Sequence, residues 1–410
     1  MQLIYFIRYL LIVTIFQSNI CNIHSINIEN KNKKSEINNE DIIVGANQIS
    51  KYIDYINKSN IGIVANHTSV IFKKDNGSTH LVDSLLSLNL KISKIFTPEH
   101  GYKGENYNGE NVSDKVDQKT GLKIISLHGK DREYGKISDN DLIDINMMIF
   151  DIQDVGTRFY THISTLHYVM EACARNNIPL LVLDRPNPNG SYIDGPVLEN
   201  ENKSFVGMHP VPIVYGMTIG EYALMINGEG WLNGKLKCKL KVIKLLNYKH
   251  DYNYSLLIKP SPNLPNDRSI FLYPSLCLFE GTNVSVGRGT TNQFQVFGSP
   301  YLDQKIYSFT FIPEPNQSSK YPPHNNKKCY GLDLRDHLLE RKLNLSYIIN
   351  AYKNTANKSE FFNDYFIKLS GTKDLKNQII NNISEKIIRK SWKDEIDEFK
   401  LIRKKYLIYK

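Results

Sequence analysis

Short apolar runs alternate with helix-like stretches between residues 61 and 190. The runs lie at residues 61–65, 92–96, 122–127, 147–150 and 179–183. Continuous apolar strands that are separated by helices are typical of a parallel sheet covered on both faces. The clearest helix is predicted over residues 164–176, where an apolar stripe recurs at helical spacing and Pro179 follows. The pattern therefore predicts an α/β fold with this helix as a crossover between two strands.

Polar residues come directly after each predicted strand. They are Asn66 and His67, Glu99 and His100, His128, Asp151 and Asp154 with Arg158, and Asp184 with Asn187. Because the carboxyl ends of parallel strands lie along one edge of a sheet, where open α/β folds bind ligands, we expect these groups to line one crevice.

The pattern changes after residue 190. Residues 219–228 have a helical pattern and residues 236–243 alternate like a half-exposed strand, whereas residues 259–300 form a long irregular stretch rich in Pro, Gly, Asn and aromatics. Loops of that length are usually functional or disordered, and the aromatics argue against disorder. The tail from residue 364 onwards is predicted to be a helix that packs on the second domain. Since 410 residues exceed what one core usually serves, we expect an N-terminal domain at residues 42–190 and a smaller α+β domain at residues 191–410.

The first 41 residues differ from the rest. Arg8 precedes a short apolar run, which is the layout of a secretory signal, so residues 1–25 are predicted to be a signal peptide and residues 26–41 a disordered linker. Cys21 is a candidate for lipid attachment, although the bulky Ile20 precedes it where such sites favour a small residue. We expect an exported protein that is periplasmic or extracellular. If Cys21 carries a lipid, the protein would be a membrane-anchored lipoprotein.

The charge and the cysteine content bear on which ligands the protein binds and on whether it has disulfides. The net charge of +9 would suit an anionic polymer, but Lys and Asn are spread along the whole chain without an arginine-rich cluster, so no nucleic acid is expected. The four cysteines after the leader are widely spaced and match no zinc template. They are interpreted as core thiols, with a disulfide among them left open: Cys173, Cys238, Cys277 and Cys329.

Glu99 is the leading candidate for acid catalysis. It stands between Pro98, which restricts the backbone, and a turn that ends at Gly101. A carboxyl held on a strand-end turn can donate a proton to a leaving oxygen. The alternative is a carboxylate that only caps the next helix. His100 is expected either to orient Glu99 or to bind substrate.

Asp151, Asp154 and Arg158 form a second group. They are expected to orient sugar hydroxyls, to hold a water, or to form a structural ion network, because buried carboxylates need partners. Asp151 together with His67, His100 and His128 would satisfy the ligand count of a zinc or manganese site, but no pair of these histidines shares a helix at ligand spacing. No metal and no cofactor is expected.

Glu280, Asn283 and Arg288 form a third group within nine residues that also contain two glycines. Arg288 suits a bidentate clamp on a substrate carboxylate. The alternative is a glycine-rich hairpin. A nucleophilic serine or cysteine is disfavoured, because no Gly-x-Ser-x-Gly elbow follows a strand and no cysteine neighbours a candidate base.

Six strings of residues stand out, at 98–101, 151–160, 184–188, 195–196, 279–283 and 287–290. Together they resemble the corresponding strings of the bacterial exo-β-N-acetylmuramidases. The resemblance runs from about residue 61 to the C-terminus. It departs at residues 189–191, Asn-Gly-Ser, where an apolar residue and two glycines are expected, and this weakens the case for Asn187 as a sugar contact.

The resemblance implies a Rossmann-like N-terminal domain, a smaller α+β domain, and a cleft between them that releases terminal β-linked N-acetylmuramic acid from peptidoglycan fragments. Glu99 would be the general acid. The 2-acetamido group of the substrate would serve as internal nucleophile, or else a second carboxylate, Glu280 first and Asp154 second. Arg288 or Arg158 would bind the lactyl carboxylate. The remaining expected substrate contacts are Asn66, His67, His100, Asp151, Tyr160, Asp184, Asn187 and Asn283.

Two other functions stay open at this point. One is a non-catalytic lipoprotein that binds muropeptides and has lost turnover. The other is a metal-dependent deacetylase that acts on the same polymer.

Overall fold

The computed structural model describes residues 42–75, 77–99, 101–104, 113–128 and 135–409. Its strands are β1 Ile61–Ala65, β2 Val70–Phe72, β3 Ser78–His80, β4 Ile92–Thr97, β5 Lys115–Val116, β6 Lys123–Ser126, β7 Met147–Asp151, β8 Leu180–Leu183, β9 Leu240–Ile243, β10 Val296–Ser299, β11 Phe309–Phe311 and β12 Cys329–Asp333. Its α-helices are α1 Ile53–Ile56, α2 Leu81–Ser87, α3 His162–Arg175, α4 Ile219–Gly228, α5 Asp267–Leu276, α6 Ser346–Lys353, α7 Tyr365–Ser370, α8 Asp374–Ile380, α9 Glu385–Ser391 and α10 Lys393–Lys404.

The larger sheet is parallel except at one edge. Within the described residues it has seven strands in the order β5-β6-β4-β1-β7-β8-β9, and β5 alone runs antiparallel. Counted along the chain, the six parallel strands lie in the order 3-2-1-4-5-6, which is that of a doubly wound α/β sheet. All five apolar runs of the sequence are strands of this sheet, so the predicted parallel α/β fold is confirmed.

The apolar strands are continuous because both faces of the sheet are covered. In β1, Ile63 belongs to one hydrophobic core and the adjacent Val64 to another. Successive side chains of a strand point to opposite faces, so each strand contributes to both cores. Helix α3 is the predicted crossover between β7 and β8, and its buried Leu166 and Met170 pack into the same core as Val64.

The later part of the chain is α+β, as expected. Strands β10, β12 and β11 form an antiparallel sheet in that order, and helices α5 to α9 contribute to a separate core around Phe279 and Phe297. Strand β9 joins the large sheet although it lies beyond residue 190. The domain boundary at residue 190 stays a prediction.

Two expectations for this region need correction. The stretch at 259–300 is not irregular throughout, because it contains helix α5, which a capping box between Asn266 and Ser269 begins. Pro274 inside this helix and the glycines after it hid its periodicity. The tail forms four helices, α7 to α10, rather than one packing helix. Ile379 and Ile388 enter the second core, while Ile387 is 58% exposed.

The four later cysteines are buried and unpaired, so their interpretation as core thiols is confirmed: Cys173, Cys238, Cys277 and Cys329. The predicted signal peptide and linker, together with Cys21, lie outside the described residues. Among the residues that are described, no helix is both long and apolar enough to cross a membrane.

Candidate active site

A cleft lies at the carboxyl end of the large sheet and has walls from both parts of the chain. One wall holds Glu99, which follows β4, and residues 159–162, which follow β7. Residues from the later part of the chain also line the cleft, among them Asn263, Glu280 and Arg288. The cleft encloses about 690 Å³, open solvent included. This arrangement agrees with the expectation that ligands bind beyond the carboxyl ends of parallel strands.

Glu99 lines the cleft from the turn that follows β4. Its side chain is 19% exposed, so it reaches the cleft while most of it is withdrawn from solvent. The neighbouring Gly101 has a φ of 77°, a left-handed conformation that glycine adopts without strain. His128 follows β6, the strand that pairs with β4, and its Nε2 lies 4.0 Å from Glu99 Oε1. His100 lies outside the described residues.

Glu280 and Arg288 form an ion pair in the lining of the cleft. Glu280 belongs to a 3-10 helix, Cys277–Gly281, and Arg288 stands between two glycines that both have positive φ. Arg288 Nε donates to Glu280 Oε1 across 2.5 Å. Cys277 Sγ is 3.8 Å from the other carboxylate oxygen. The structure thus brings together three of the predicted groups, Glu99, Glu280 and Arg288, in one cleft.

Arg288 retains an unused donor. Its side chain is largely buried and lies 5.2 Å from the centroid of the Phe294 ring. Burial lowers the pKa of Arg288, but the charge of Glu280 outweighs this and raises the pKa above its ordinary value. Arg288 Nη1 is buried without a hydrogen-bond partner among the described residues. A buried guanidinium donor without a partner is costly unless a ligand accepts from it.

Tyrosines complete the cleft. Tyr160, which was predicted, donates its hydroxyl to Pro260 O at 2.9 Å. Tyr365 was not predicted. Burial raises its pKa, and the nearby Cys277, Glu280 and Glu99 raise it further, whereas the charge of Arg288 lowers it. Sequence reasoning missed Tyr365 because nothing near it in the chain belongs to a recognisable motif.

Asp154 is not among the residues that line the cleft in the described part of the chain. It is buried, and its Oδ2 accepts from the Tyr215 hydroxyl and from Gly156 N. Burial raises the pKa of Asp154 to about 6, although these two hydrogen bonds favour the charged form. Burial raises the pKa of the Tyr160 hydroxyl well above its ordinary value, and the charge of Asp154 raises it further.

Asp151 belongs to a buried ion pair rather than to the cleft. Its two oxygens accept from Arg185 Nε at 2.6 Å and Nη2 at 2.9 Å, and Arg185 also donates to Val70 O. This is the structural network that the sequence left open for Asp151. Sequence reasoning did not single out Arg185, although it follows Asp184 directly.

Asp184 and Asn187 hold the chain around helix α4. Asp184 accepts from Thr218 Oγ1 at 2.8 Å, from Gly220 N at 2.8 Å and from the Tyr409 hydroxyl at 2.5 Å. Burial raises its pKa to about 7. Asn187 donates to Met217 O at 2.8 Å. Their polar groups are engaged within the protein, and neither lines the cleft in the described part of the chain.

Arg158 is fully buried and links distant segments. It donates to four backbone oxygens: Pro196 O at 2.9 Å, Val211 O at 2.7 Å, Leu369 O at 3.1 Å and Ser370 O at 2.6 Å. Burial lowers its pKa to about 9. The Arg158 guanidinium therefore binds the protein's own backbone, whereas Arg288 lines the cleft.

The other predicted contacts lie elsewhere. Asn66 Oδ1 accepts from Thr68 N and Oγ1, and His67 Nε2 is 2.8 Å from Lys259 O, beside a separate hollow near Tyr102. Asn283 binds His324 and Ser299 through its backbone carbonyl. Within the described ranges, no group of three His, Cys, Asp or Glu side chains has the geometry to hold a metal ion.

Comparison with known proteins identifies the family. Residues 61–268 match the family model "Exo-beta-N-acetylmuramidase NamZ, N-terminal", and residues 271–409 match its C-terminal counterpart. The chain is 38% identical over 339 residues to the peptidoglycan beta-N-acetylmuramidase NamZ of Bacillus subtilis (strain 168), covering 78% of this chain and 80% of that protein.

Two solved structures share the fold. Both are DUF1343 family proteins from Bacteroides fragilis NCTC 9343, and each comparison covers 90% of this chain and 99% of the other. One has a TM-score of 0.82 at 43% identity and the other 0.75 at 28% identity. The matched models together span residues 61–409 almost without a gap, so the chain belongs to the exo-β-N-acetylmuramidase NamZ family.

Proposed function

We propose that the protein is an exo-acting glycosidase that releases terminal β-linked N-acetylmuramic acid from peptidoglycan fragments. The observation that carries this proposal is the presence of Glu99 and Arg288 in one cleft, because the reaction needs a proton donor and the substrate carries a carboxylate. Membership of the NamZ family and the named activity of the Bacillus subtilis relative support it.

Glu99 acts as the general acid. It donates its proton to the glycosidic oxygen while the bond from that oxygen to C1 of the muramic acid breaks, so that the leaving sugar departs as an alcohol. The resulting Glu99 carboxylate then accepts a proton from the water that attacks C1. The position of Glu99 on a turn that faces the cleft supports both steps.

The substrate's own 2-acetamido oxygen is the nucleophile that we favour. Of the two protein carboxylates considered for this role, Asp154 lies outside the described cleft lining, and Glu280 already accepts from Arg288 at 2.5 Å. A carboxylate in a tight ion pair is a poorer nucleophile than a free one. Glu280 instead holds Arg288 in position.

Arg288 binds the lactyl carboxylate that distinguishes muramic acid from glucosamine. Its Nη1 donor lacks a partner in the described part of the chain, and Phe294 and Glu280 fix the plane of the guanidinium. A guanidinium donates to a carboxylate through two parallel hydrogen bonds. This pairing supplies the selectivity for muramic acid.

Turnover of two substrates tests the proposal against both alternatives. We expect the purified protein to release 4-nitrophenol from 4-nitrophenyl β-N-acetylmuramide and N-acetylmuramic acid from its β-linked disaccharide with N-acetylglucosamine, with and without a strong chelator. Binding without release of either product would support a muropeptide-binding protein. Release of acetate that the chelator abolishes would support a metal-dependent deacetylase.

The site of action follows from the substrate, which lies outside the cytoplasm. Export by the predicted signal peptide at residues 1–25 would bring the protein to the periplasm or the exterior, with Cys21 as the candidate for lipid attachment. Mass spectrometry of the mature N-terminus tests this. A chain that begins at Met1 and stays with the cytoplasmic fraction would contradict export.

A further inference from the structure

Asn263 carries a buried hydrogen-bond acceptor that no described part of the protein satisfies. Its side chain is 3% exposed and lines the cleft together with Glu99 and Arg288. Its Oδ1 has no hydrogen-bond partner among the described residues. Because an unsatisfied buried polar atom costs free energy, such an atom in a cleft wall indicates a contact that a ligand completes.

The orientation of the Asn263 amide is fixed by its surroundings. Its Nδ2 donates to Ser318 O at 3.2 Å, and its backbone N donates to Ser261 Oγ at 3.2 Å. Ser318 is itself held, since its hydroxyl accepts from Gln293 Nε2 at 2.7 Å. A carbonyl oxygen can only accept, so the NH₂ group must face Ser318 and Oδ1 must face away from it.

The cleft therefore offers two unmet groups of opposite kind. Arg288 Nη1 needs an acceptor, and Asn263 Oδ1 needs a donor. In muramic acid the lactyl group sits on C3, and its ether oxygen and carboxylate only accept. The donors on the adjacent ring carbons are the amide N–H at C2 and the hydroxyl at C4.

We infer that Asn263 determines specificity by accepting a hydrogen bond from the N–H of the substrate's 2-acetamido group. The amide is planar and trans, so its N–H and its carbonyl point in opposite directions. Anchoring the N–H on Asn263 aims the carbonyl oxygen away from that wall and fixes the rotation of the group that attacks C1. The C4 hydroxyl could not provide this orientation.

This inference rests on the proposed function, and comparing the binding of two matched ligands distinguishes a failure of one from a failure of the other. Isothermal titration of the wild-type protein would compare N-acetylmuramic acid with its 2-O-acetyl analogue, in which an ester oxygen replaces the N–H. We expect the ester to bind about 5- to 100-fold more weakly, the range for a buried acceptor left without its donor. Equal affinities would overturn the inference, whereas absence of binding by N-acetylmuramic acid itself would count against the proposed function.

A variant assigns the effect to Asn263. In Asn263→Leu, which has a similar volume and no acceptor, the amide and the ester should bind with affinities within about twofold of each other. The matched control is Asn350→Leu on the exposed face of α6, which should keep the wild-type difference. Persistence of that difference in Asn263→Leu would overturn the inference.

A 4-deoxy ligand tests the competing donor. We expect the loss of affinity on removing the C4 hydroxyl to be the same in the wild type and in Asn263→Leu. If the variant abolished the 4-deoxy effect and kept the amide effect, Asn263 would bind the C4 hydroxyl and the inference would be wrong. Should Asn263→Leu fail to fold, equal affinities of the wild type for the amide and the ester would still overturn the inference.

Discussion

Arg288 Nε donates to Glu280 Oε1 across 2.5 Å, and both residues line the same cleft. The two residues were predicted separately, one as a carboxylate clamp and one as a second catalytic group. As an ion pair they have different roles: Arg288 binds the ligand's carboxylate, and Glu280 fixes the plane of the Arg288 guanidinium.

Replacing Arg288 should remove selectivity for muramic acid. We expect Arg288→Ala to lower kcat/KM on an aryl β-N-acetylmuramide by about 10- to 150-fold, the range for a hydrogen bond to a charged group, mostly through KM. The same variant should lose much less on the corresponding glucosaminide, which lacks the lactyl group. Equal losses on both substrates would make Arg288 a structural residue.

Replacing Glu280 separates a positioning role from nucleophilic catalysis. Glu280→Gln keeps the size of the side chain but not its charge, so Arg288 should lose its fixed plane and KM for the muramide should rise while kcat changes by less than about tenfold. If Glu280 were the nucleophile, kcat would fall by several orders of magnitude and added azide would restore part of it. Steady-state kinetics with and without azide distinguish these results.

The loss of activity on replacing Glu99 should depend on the leaving group of the substrate. Glu99→Gln should lower kcat on the natural disaccharide by about 10²–10⁴-fold, the contribution of a general acid. The loss on the 4-nitrophenyl substrate should be smaller, because nitrophenolate departs without protonation. Unchanged binding of N-acetylmuramic acid would serve as the control for folding. Wild-type rates on the disaccharide would refute the acid role.

The sequence predicts the sheet well because its evidence is local. Strand β1, for example, consists of five consecutive residues without a polar side chain, and all five are buried in the structure. Glu99 follows β4 at the carboxyl edge of the sheet, where ligands bind in open α/β folds, and it lines the cleft. Asn263 and Tyr365 carry no such signal. They reach the cleft only through the packing of segments far apart in the chain, which no periodicity encodes.

The same limit explains why several predicted site residues proved to be internal. Asp151, Arg158 and Asp184 stand at strand ends in long polar strings, as ligand-binding residues do. Their partners are Arg185, four backbone oxygens and the start of α4, respectively. A buried polar group that binds its own protein and one that binds a ligand look alike in sequence, because both are polar residues next to an apolar strand.

Arg158 should matter for stability rather than for substrate. Arg158→Met leaves four backbone oxygens without their donor, so we expect the free energy of unfolding to fall by about 3–5 kcal/mol. Urea unfolding would measure this. The control is Arg175→Met, whose half-exposed pair with Asp139 should contribute less than about 1 kcal/mol. Equal stability of the two variants, with a raised KM in Arg158→Met, would return Arg158 to the substrate site.

A buried histidine pair should make the fold sensitive to acid. His167 Nδ1 lies 3.0 Å from His209 Nε2, and His209 Nδ1 lies 3.0 Å from the Tyr222 hydroxyl. Burial lowers the pKa of His167 to about 4 and that of His209 well below its ordinary value. Glu171 faces His167 Nε2 at 3.4 Å and opposes the shift, while the charge of Lys203 adds to it.

The direction of the pH effect follows from proton uptake by the unfolded chain. Between pH 6.5 and about 4 the unfolded His167 binds a proton that the folded one does not, so its contribution to stability is present above pH 6.5 and is lost as the pH falls. At pH 5.5 the loss from His167 should be about 1.4 kcal/mol. The difference in the free energy of unfolding between the wild type and His167→Gln should therefore be smaller at pH 5.5 than at pH 7.5 by about this amount. Urea unfolding at both pH values measures the gap. The exposed His337→Gln should show no such change, and a gap in His167→Gln that stays constant would mean that the pair is protonated without cost in the folded state.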